Sequence, residues 1–254
     1  MMVTMPLVLV AIGFASGLLI GTIGIGGVIL VPILTFLVGF PITDAITAAM
    51  IGYIAAGIIG ITAYARKASI RWDLAAWLCA SAAPAAVAGA WASNRAPATA
   101  LEIVIGLFTV ASGVNAMLSR SVAESSKQEI AKGMLTTVGA ITGFGSAISG
   151  TGGPLLLVPM LLWLRQPVLM AIGLSQAIQL TIAITATAGN FAFGTPDLTL
   201  GLQLAVGLAL GTWVGAKVAH AVPREVLRTF VSLALVVIGI AICAKVAQRI
   251  FLAQ

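Results

Sequence analysis

Charge is scarce in this chain. Of its 254 residues 8% are charged and 60% hydrophobic, and the mean hydropathy is +1.14. A soluble domain carries about 25% charged residues, so a soluble globular fold is excluded and a polytopic membrane protein remains. The period-two polar alternation of a membrane β-barrel, in segments of ~10 residues, is also absent. The apolar stretches instead approach the ~20 residues that cross ~30 Å of hydrocarbon as a helix. No Asp or Glu stands at the centre of any of them. Asp44, Asp73, Glu102 and Glu225 sit at or near expected helix starts, and Glu124, Glu129 and Asp197 in loops. Carboxylates at helix starts favour the helix dipole. A carboxylate proton relay through the membrane is therefore hard to build. No phosphate-loop motif occurs, which argues against nucleotide hydrolysis by the chain itself.

Other side chains with reactive chemistry are few. There is one histidine, His220, and two cysteines, Cys79 and Cys243, both inside apolar stretches. The cysteines read as small helix-packing residues, with no disulfide framework, metal site or cofactor expected. The formal net charge is +6. In a soluble protein that excess would suggest nucleic acid; here the basic residues lie mostly between apolar segments, where they set topology and meet anionic lipid headgroups. Membrane lipids are thus expected partners and nucleic acid is not. The N-terminus lacks a basic leader and reads as a retained first membrane segment.

Glycine is what the chain has in plenty. The first of two glycine–proline cassettes is Gly24-Ile25-Gly26-Gly27-Val28-Ile29-Leu30-Val31-Pro32; the second is Gly150-Thr151-Gly152-Gly153-Pro154-Leu155-Leu156-Leu157-Val158-Pro159. Each interrupts a long apolar stretch, and each glycine costs a helix about 1 kcal/mol relative to alanine. Broken helices at membrane depth persist where the freed backbone is buried in protein or lines a polar cavity.

The punctuation predicts ten helical segments: 4–23, 26–39, 44–65, 72–92, 98–119, 133–149, 153–164, 168–193, 198–220 and 224–247. Pro84 is an expected kink. The polar stretch 120–132 divides an N-terminal repeat, 1–119, from a C-terminal repeat, 133–254. With Gly24 laid on Gly150, Gly26 and Gly27 fall on Gly152 and Gly153, Pro41 on Pro167, Ala45 on Ala171, Pro97 on Pro223 and Gly113 on Gly239. A shared register of this kind predicts duplication. Five segments per half is an odd number, so the second half would be inverted. It stays inverted if segments 1–2 and 6–7 are re-entrant pairs. Placing the loop 66–71 in the cytoplasm puts Arg66, Lys67, Arg71, Arg120, Lys127, Lys132, Arg165, Lys217, Arg224 and Arg228 inside, and Arg95, Lys245 and Arg249 outside. That is the bias of the positive-inside rule. The expected fold is an all-α integral membrane protein of two inverted repeats.

Helix starts at the cassettes would present free N–H groups and a partial positive charge. A pair of them meeting near the midplane favours an anion with several oxygens. Gly24, Gly26, Gly27, Gly150, Thr151, Gly152 and Gly153 are therefore candidate substrate contacts, weighed against plain packing by small residues. A second polar set comprises Tyr53, Ser175, Gln176, Gln179 and Asn190. Amides in an apolar helix are costly unless they face a partner or water. Helix-to-helix hydrogen bonding competes with a substrate lining for them. Lys217 reads as a snorkelling residue. Two other classes compete with a transporter: an anion channel, and an intramembrane hydrolase using Ser146 or Ser149 with His220. Neither serine lies in a Gly-x-Ser-x-Gly elbow, so no enzyme is expected.

The two cassettes, with Thr47–Tyr53, Leu174-Ser175-Gln176 and the loop ending Arg71-Trp72-Asp73-Leu74, resemble the sulfite exporter TauE/SafE family. Val28 and Pro154 stand where many members carry a third glycine. The resemblance covers nearly the whole chain. It implies a secondary transporter of small anions such as sulfite or sulfoacetate-like organosulfonates, multi-pass in a bacterial inner membrane.

Overall fold

The computed structural model describes residues 4–23, 26–65, 70–118 and 130–218, with scattered positions between 233 and 248. Most of the tenth segment, most of the linker, Gly24, Arg66, Lys67 and His220 lie outside the described residues. The described elements are helical: α1 (Thr4–Ile23), α2 (Gly27–Pro32), α3 (Ile42–Ala65), α4 (Trp72–Arg95), α5 (Ala98–Leu118), α6 (Lys132–Ser149), α7 (Pro154–Trp163), α8 (Val168–Phe193) and α9 (Leu198–Val218). The chain is an all-α integral membrane protein. Five of these helices contain stretches long and apolar enough to cross a bilayer: Met5–Thr22, Ile42–Ala65, Trp72–Arg95, Met170–Phe193 and Leu198–Lys217.

The segments that start at the cassettes are short. Pro32 has no N–H to continue the α pattern. The chain beyond it winds as a wider π turn over Ile33–Val38, ended by Gly39 at φ 92°. At 1.5 Å per residue α7 is only about 15 Å long, half a membrane. It ends at Leu164, with the Gln166 N–H on the Leu161 carbonyl at 2.9 Å and the Arg165 N–H on the Leu162 carbonyl at 2.9 Å. That is a left-handed helix stop, and it holds Arg165 at φ 56°. Gly39, which closes the segment after the first cassette, is also left-handed and adopts this conformation freely. An arginine held there stores about 1 kcal/mol of strain. Arg165→Gly should therefore raise the melting temperature of the detergent-purified protein by a few degrees; an unchanged or lower value would contradict this account.

Glycines set the distances between the long helices. Gly13, Gly17 and Gly21 of α1 lie against Leu204, Leu208 and Thr212 of α9, and Gly207, Gly211 and Gly215 of α9 lie against Val10, Phe14 and Leu18 of α1. A methyl group on Gly13 would come within 2.8 Å of the Leu204 carbonyl oxygen. These helices run parallel, since the paired numbers rise together. So do α6 and α4, where Gly139 meets Leu78, Gly143 meets Ala82 and Gly89 meets Phe144. Helices α3 and α8 run antiparallel, with Gly57 on Leu180 and Gly60 on Gln176. Small residues at these spacings let backbones touch where lipid supplies no hydrophobic driving force.

The partner pattern is the same in both halves. The first helix of each packs on the fourth helix of the other, α1 on α9 and α6 on α4. The third helix of each does the same, α3 on α9 and α8 on α4, and the two third helices pack on one another. Charged ends meet aromatic rings. The Lys217 ammonium lies 3.5 Å from the Trp213 ring centroid, and the Arg95 guanidinium 4.8 Å from that of Trp91. Aromatic rings beside charged helix ends are the usual furniture of a membrane–water interface.

Candidate functional site

The two cassettes touch. A methyl group on Gly27 would sit 2.5 Å from the Thr151 carbonyl oxygen and 3.1 Å from the Tyr53 hydroxyl oxygen. Tyr53, fully buried on α3, spans the contact: its hydroxyl donates to the Gly27 carbonyl at 2.7 Å. Its ring also flanks Gly152, where a methyl would lie 3.1 Å from the ring edge. One tyrosine thus fixes the first cassette by its hydroxyl and walls the second by its face.

The cassettes differ in conformation. Gly26 is helical, at φ −64° and ψ −20°, and a methyl there would strike the Ser16 carbonyl oxygen and the Ile20 nitrogen of α1. Gly26 is therefore packed against the first helix. In the second cassette Gly150, Gly152 and Gly153 have φ of 70°, 82° and 108°, a region that side chains with a β-carbon seldom occupy. This turn takes the chain from the end of α6 to the start of α7. Pro154, the first residue of α7, has no N–H, and the Leu156 and Leu157 amides both bond the Gly153 carbonyl, at 3.2 and 3.1 Å. Gly152, Gly153 and Leu155 remain as the amides this helix start can offer to a ligand.

Helix α8 supplies the polar side chains. The Gln179 backbone lies beside Gly153, at 3.5 Å from a methyl placed there. Gln176 is one turn away, its amide against Gly60 of α3. Both residues are 1% exposed, and all four of their amide oxygen and nitrogen atoms lack a hydrogen-bond partner. Leaving such a group unpaired in the interior costs about 1–3 kcal/mol. On α6 the hydroxyls of Thr142 and Ser146 are likewise buried and unpaired, and they lead toward Ser149 and Thr151, whose hydroxyls pair at 3.0 Å. Sequence reasoning weighed Ser146 and Ser149 only as nucleophiles. The signal for a polar file was available in the one-face spacing of 142, 146 and 149.

Tyr53, Gly27, Thr151, Gly152, Gly153 and Gln179 come together, with Gln176 adjoining. Ser175 directs its hydroxyl to the Ile172 carbonyl at 2.7 Å. Asn190 lies eleven residues beyond Gln179, about 16 Å along the helix, and its side-chain oxygen accepts from the Asn94 amide at 2.9 Å. Gly150 faces Val31 and Ile46. Ser149 donates its hydroxyl proton to the Gly145 carbonyl at 2.6 Å and so accepts from the Thr151 hydroxyl.

Half-length helices meeting at a buried polar centre inside long membrane-spanning helices are the architecture of a membrane transporter. The chain belongs to the sulfite exporter TauE/SafE family, whose model matches residues 9–242. It is similar to "Probable membrane transporter protein MJ0441" of Methanocaldococcus jannaschii, with 26% identity over 91% of this chain and 93% of that protein. It is also similar to "Probable membrane transporter protein YdhB" of Bacillus subtilis, with 23% identity over 92% of this chain and 98% of that protein. No solved structure gives a significant match. Family and relatives alike are described as transporters, consistent with a protein that is not an enzyme.

Proposed function

We propose that this protein is a secondary transporter of a small sulfur-containing oxyanion or organosulfonate, such as sulfite. It works in a bacterial inner membrane by alternating access about the contact between the cassettes. The observation that carries this reading is the pair Gln176 and Gln179, whose four polar atoms are buried and unpaired on the stretch of α8 that packs against Gly153 and Gly60. A folded protein without a ligand requirement would carry apolar groups there or pair the amides. Amide side chains and backbone N–H groups suit sulfonyl oxygens, which accept several hydrogen bonds.

Two further observations support an inverted duplication as the frame for alternating access. The repeat-related helices α3 and α8 run antiparallel, and the two halves share one partner pattern. Inverted repeats place substrate at their interface, where rocking opens it to either side.

The test is uptake of labelled sulfite into proteoliposomes holding the full chain. The expected result is saturable uptake, competed by unlabelled sulfite. Flux that rises linearly with concentration and resists competition would favour an anion channel, and no flux of sulfite or of an organosulfonate would remove the reading.

A further inference from the structure

We infer that the buried centre selects its substrate by charge, taking monoanions and rejecting dianions of the same shape. The inference rests on the reading of this centre as the substrate site, and it concerns what that site can neutralise.

The sequence has no Lys, Arg or His in residues 1–65, 72–94, 96–119, 133–164, 166–216 and 229–244. The described cations all sit at helix ends and are exposed: Arg71, Arg95, Lys132, Arg165 and Lys217. At the centre itself Tyr53, Thr151, Gln176 and Gln179 are neutral. Among the described residues, an anion held there meets only dipoles: amide groups, hydroxyls and the N–H groups of the turn into α7. Dipoles of this kind can replace much of the hydration of one negative charge, as at other helix starts. The cost of moving an ion into a low-dielectric interior grows with the square of its charge, whereas the stabilisation by fixed dipoles grows only with its first power. Doubling the charge thus roughly quadruples the penalty and doubles the return. A cation beside the centre would offset the second charge, and the chain places none in these segments.

The same chemistry fixes the form in which each substrate class crosses. Sulfite would enter as the hydrogen sulfite monoanion. Among organosulfonates, those with an uncharged remainder are favoured over those that also carry a carboxylate. The amide oxygens of Gln176 and Gln179 fit this as well, since they can accept a hydrogen bond from an S–OH or C–OH group that a fully ionised dianion lacks.

Methanesulfonate and sulfate separate the possibilities, because both present tetrahedrally bonded sulfur with three or four oxygens and they differ in charge. The measurement is thermal stabilisation of the purified full-length protein at fixed pH and ionic strength, titrated with each sodium salt. A ligand of the folded state raises apparent stability according to its affinity. Methanesulfonate should shift the melting temperature at a concentration at least tenfold below that at which sulfate does, and the shift should vanish in Gln179→Leu. Equal or better stabilisation by sulfate would overturn charge selection while leaving an anion site in place. A methanesulfonate shift that survives in Gln179→Leu would put the anion elsewhere and overturn the inference. If neither salt stabilises the protein, the inference and the reading beneath it both fall.

Discussion

Replacing Gln176 and Gln179 together by leucine is expected to make the protein more stable and to stop transport. Leucine is close to glutamine in volume, so the packing between α3 and α8 is kept. What changes is four amide atoms, buried and unpaired in the substrate-free protein. Removing them relieves a desolvation penalty of about 1–3 kcal/mol per residue, a gain of ~2 kcal/mol or more for the pair. Transport, if these amides hold the anion, should fall at least about 100-fold, the equivalent of ~2.7 kcal/mol of lost stabilisation. Melting temperature and uptake measured on the same preparation give the answer. Were the amides structural glue, the double variant would melt lower and transport normally. Opposite movement of stability and activity is the mark of a residue kept for function.

The second large effect belongs to the packing of α1 on α9. Gly211→Leu is expected to prevent recovery of folded protein. Any β-carbon at Gly211 would strike the Phe14 carbonyl oxygen and come within 2.8 Å of the Leu18 nitrogen. Both are backbone atoms of α1, which no rotamer change can move. The two helices would have to separate along their length, which also opens the contacts of Gly13, Gly17, Gly207 and Gly215. The cost exceeds that of ordinary overpacking, about 1–3 kcal/mol, and reaches the 4–5 kcal/mol range that unfolds marginal proteins. Gly211→Ala should give a partial loss. Leu210→Phe, one residue away at a position 52% exposed, should be neutral. Size-exclusion profiles and melting curves of the three variants check the order, and a well-folded Gly211→Leu protein would contradict it.

Element boundaries were legible because they are local. Gly39-Phe40-Pro41, Arg95-Ala96-Pro97 and Gln166-Pro167 carry their own stop and start signals, and the described helices fall within a few residues of the expected segments. The glycine cassettes were legible for the same reason, since three glycines interrupt a helix wherever it sits. Partnership was not local. That Asn190 pairs with Asn94 follows from α8 running beside α4, which no spacing within α8 reveals. Gly26 and Gly27 are neighbours in one motif, yet one meets α1 and the other meets the opposite cassette and Tyr53. The different backbones of the two cassettes were equally hidden, because Val28 and Pro154 act on the geometry only once the turn is formed. The glycine rows at 13, 17 and 21 and at 207, 211 and 215 could have been read, as their four-residue spacing marks a helix face.

The exchanged pairing of α1 with α9 and of α6 with α4 has a consequence for how the chain can be divided. The helices α1–α5 and α6–α9 are each consecutive in sequence but interlocked in space. Cut at the linker and pulled apart, each would carry away helices whose glycine faces fit only the helices of the other. The packing crosses the linker instead: α1 and α3 lie on α9, and α6 and α8 lie on α4. Two separately made halves could rebuild the protein only by finding each other, as the strands of a clasp do, and neither would have a finished interior before then.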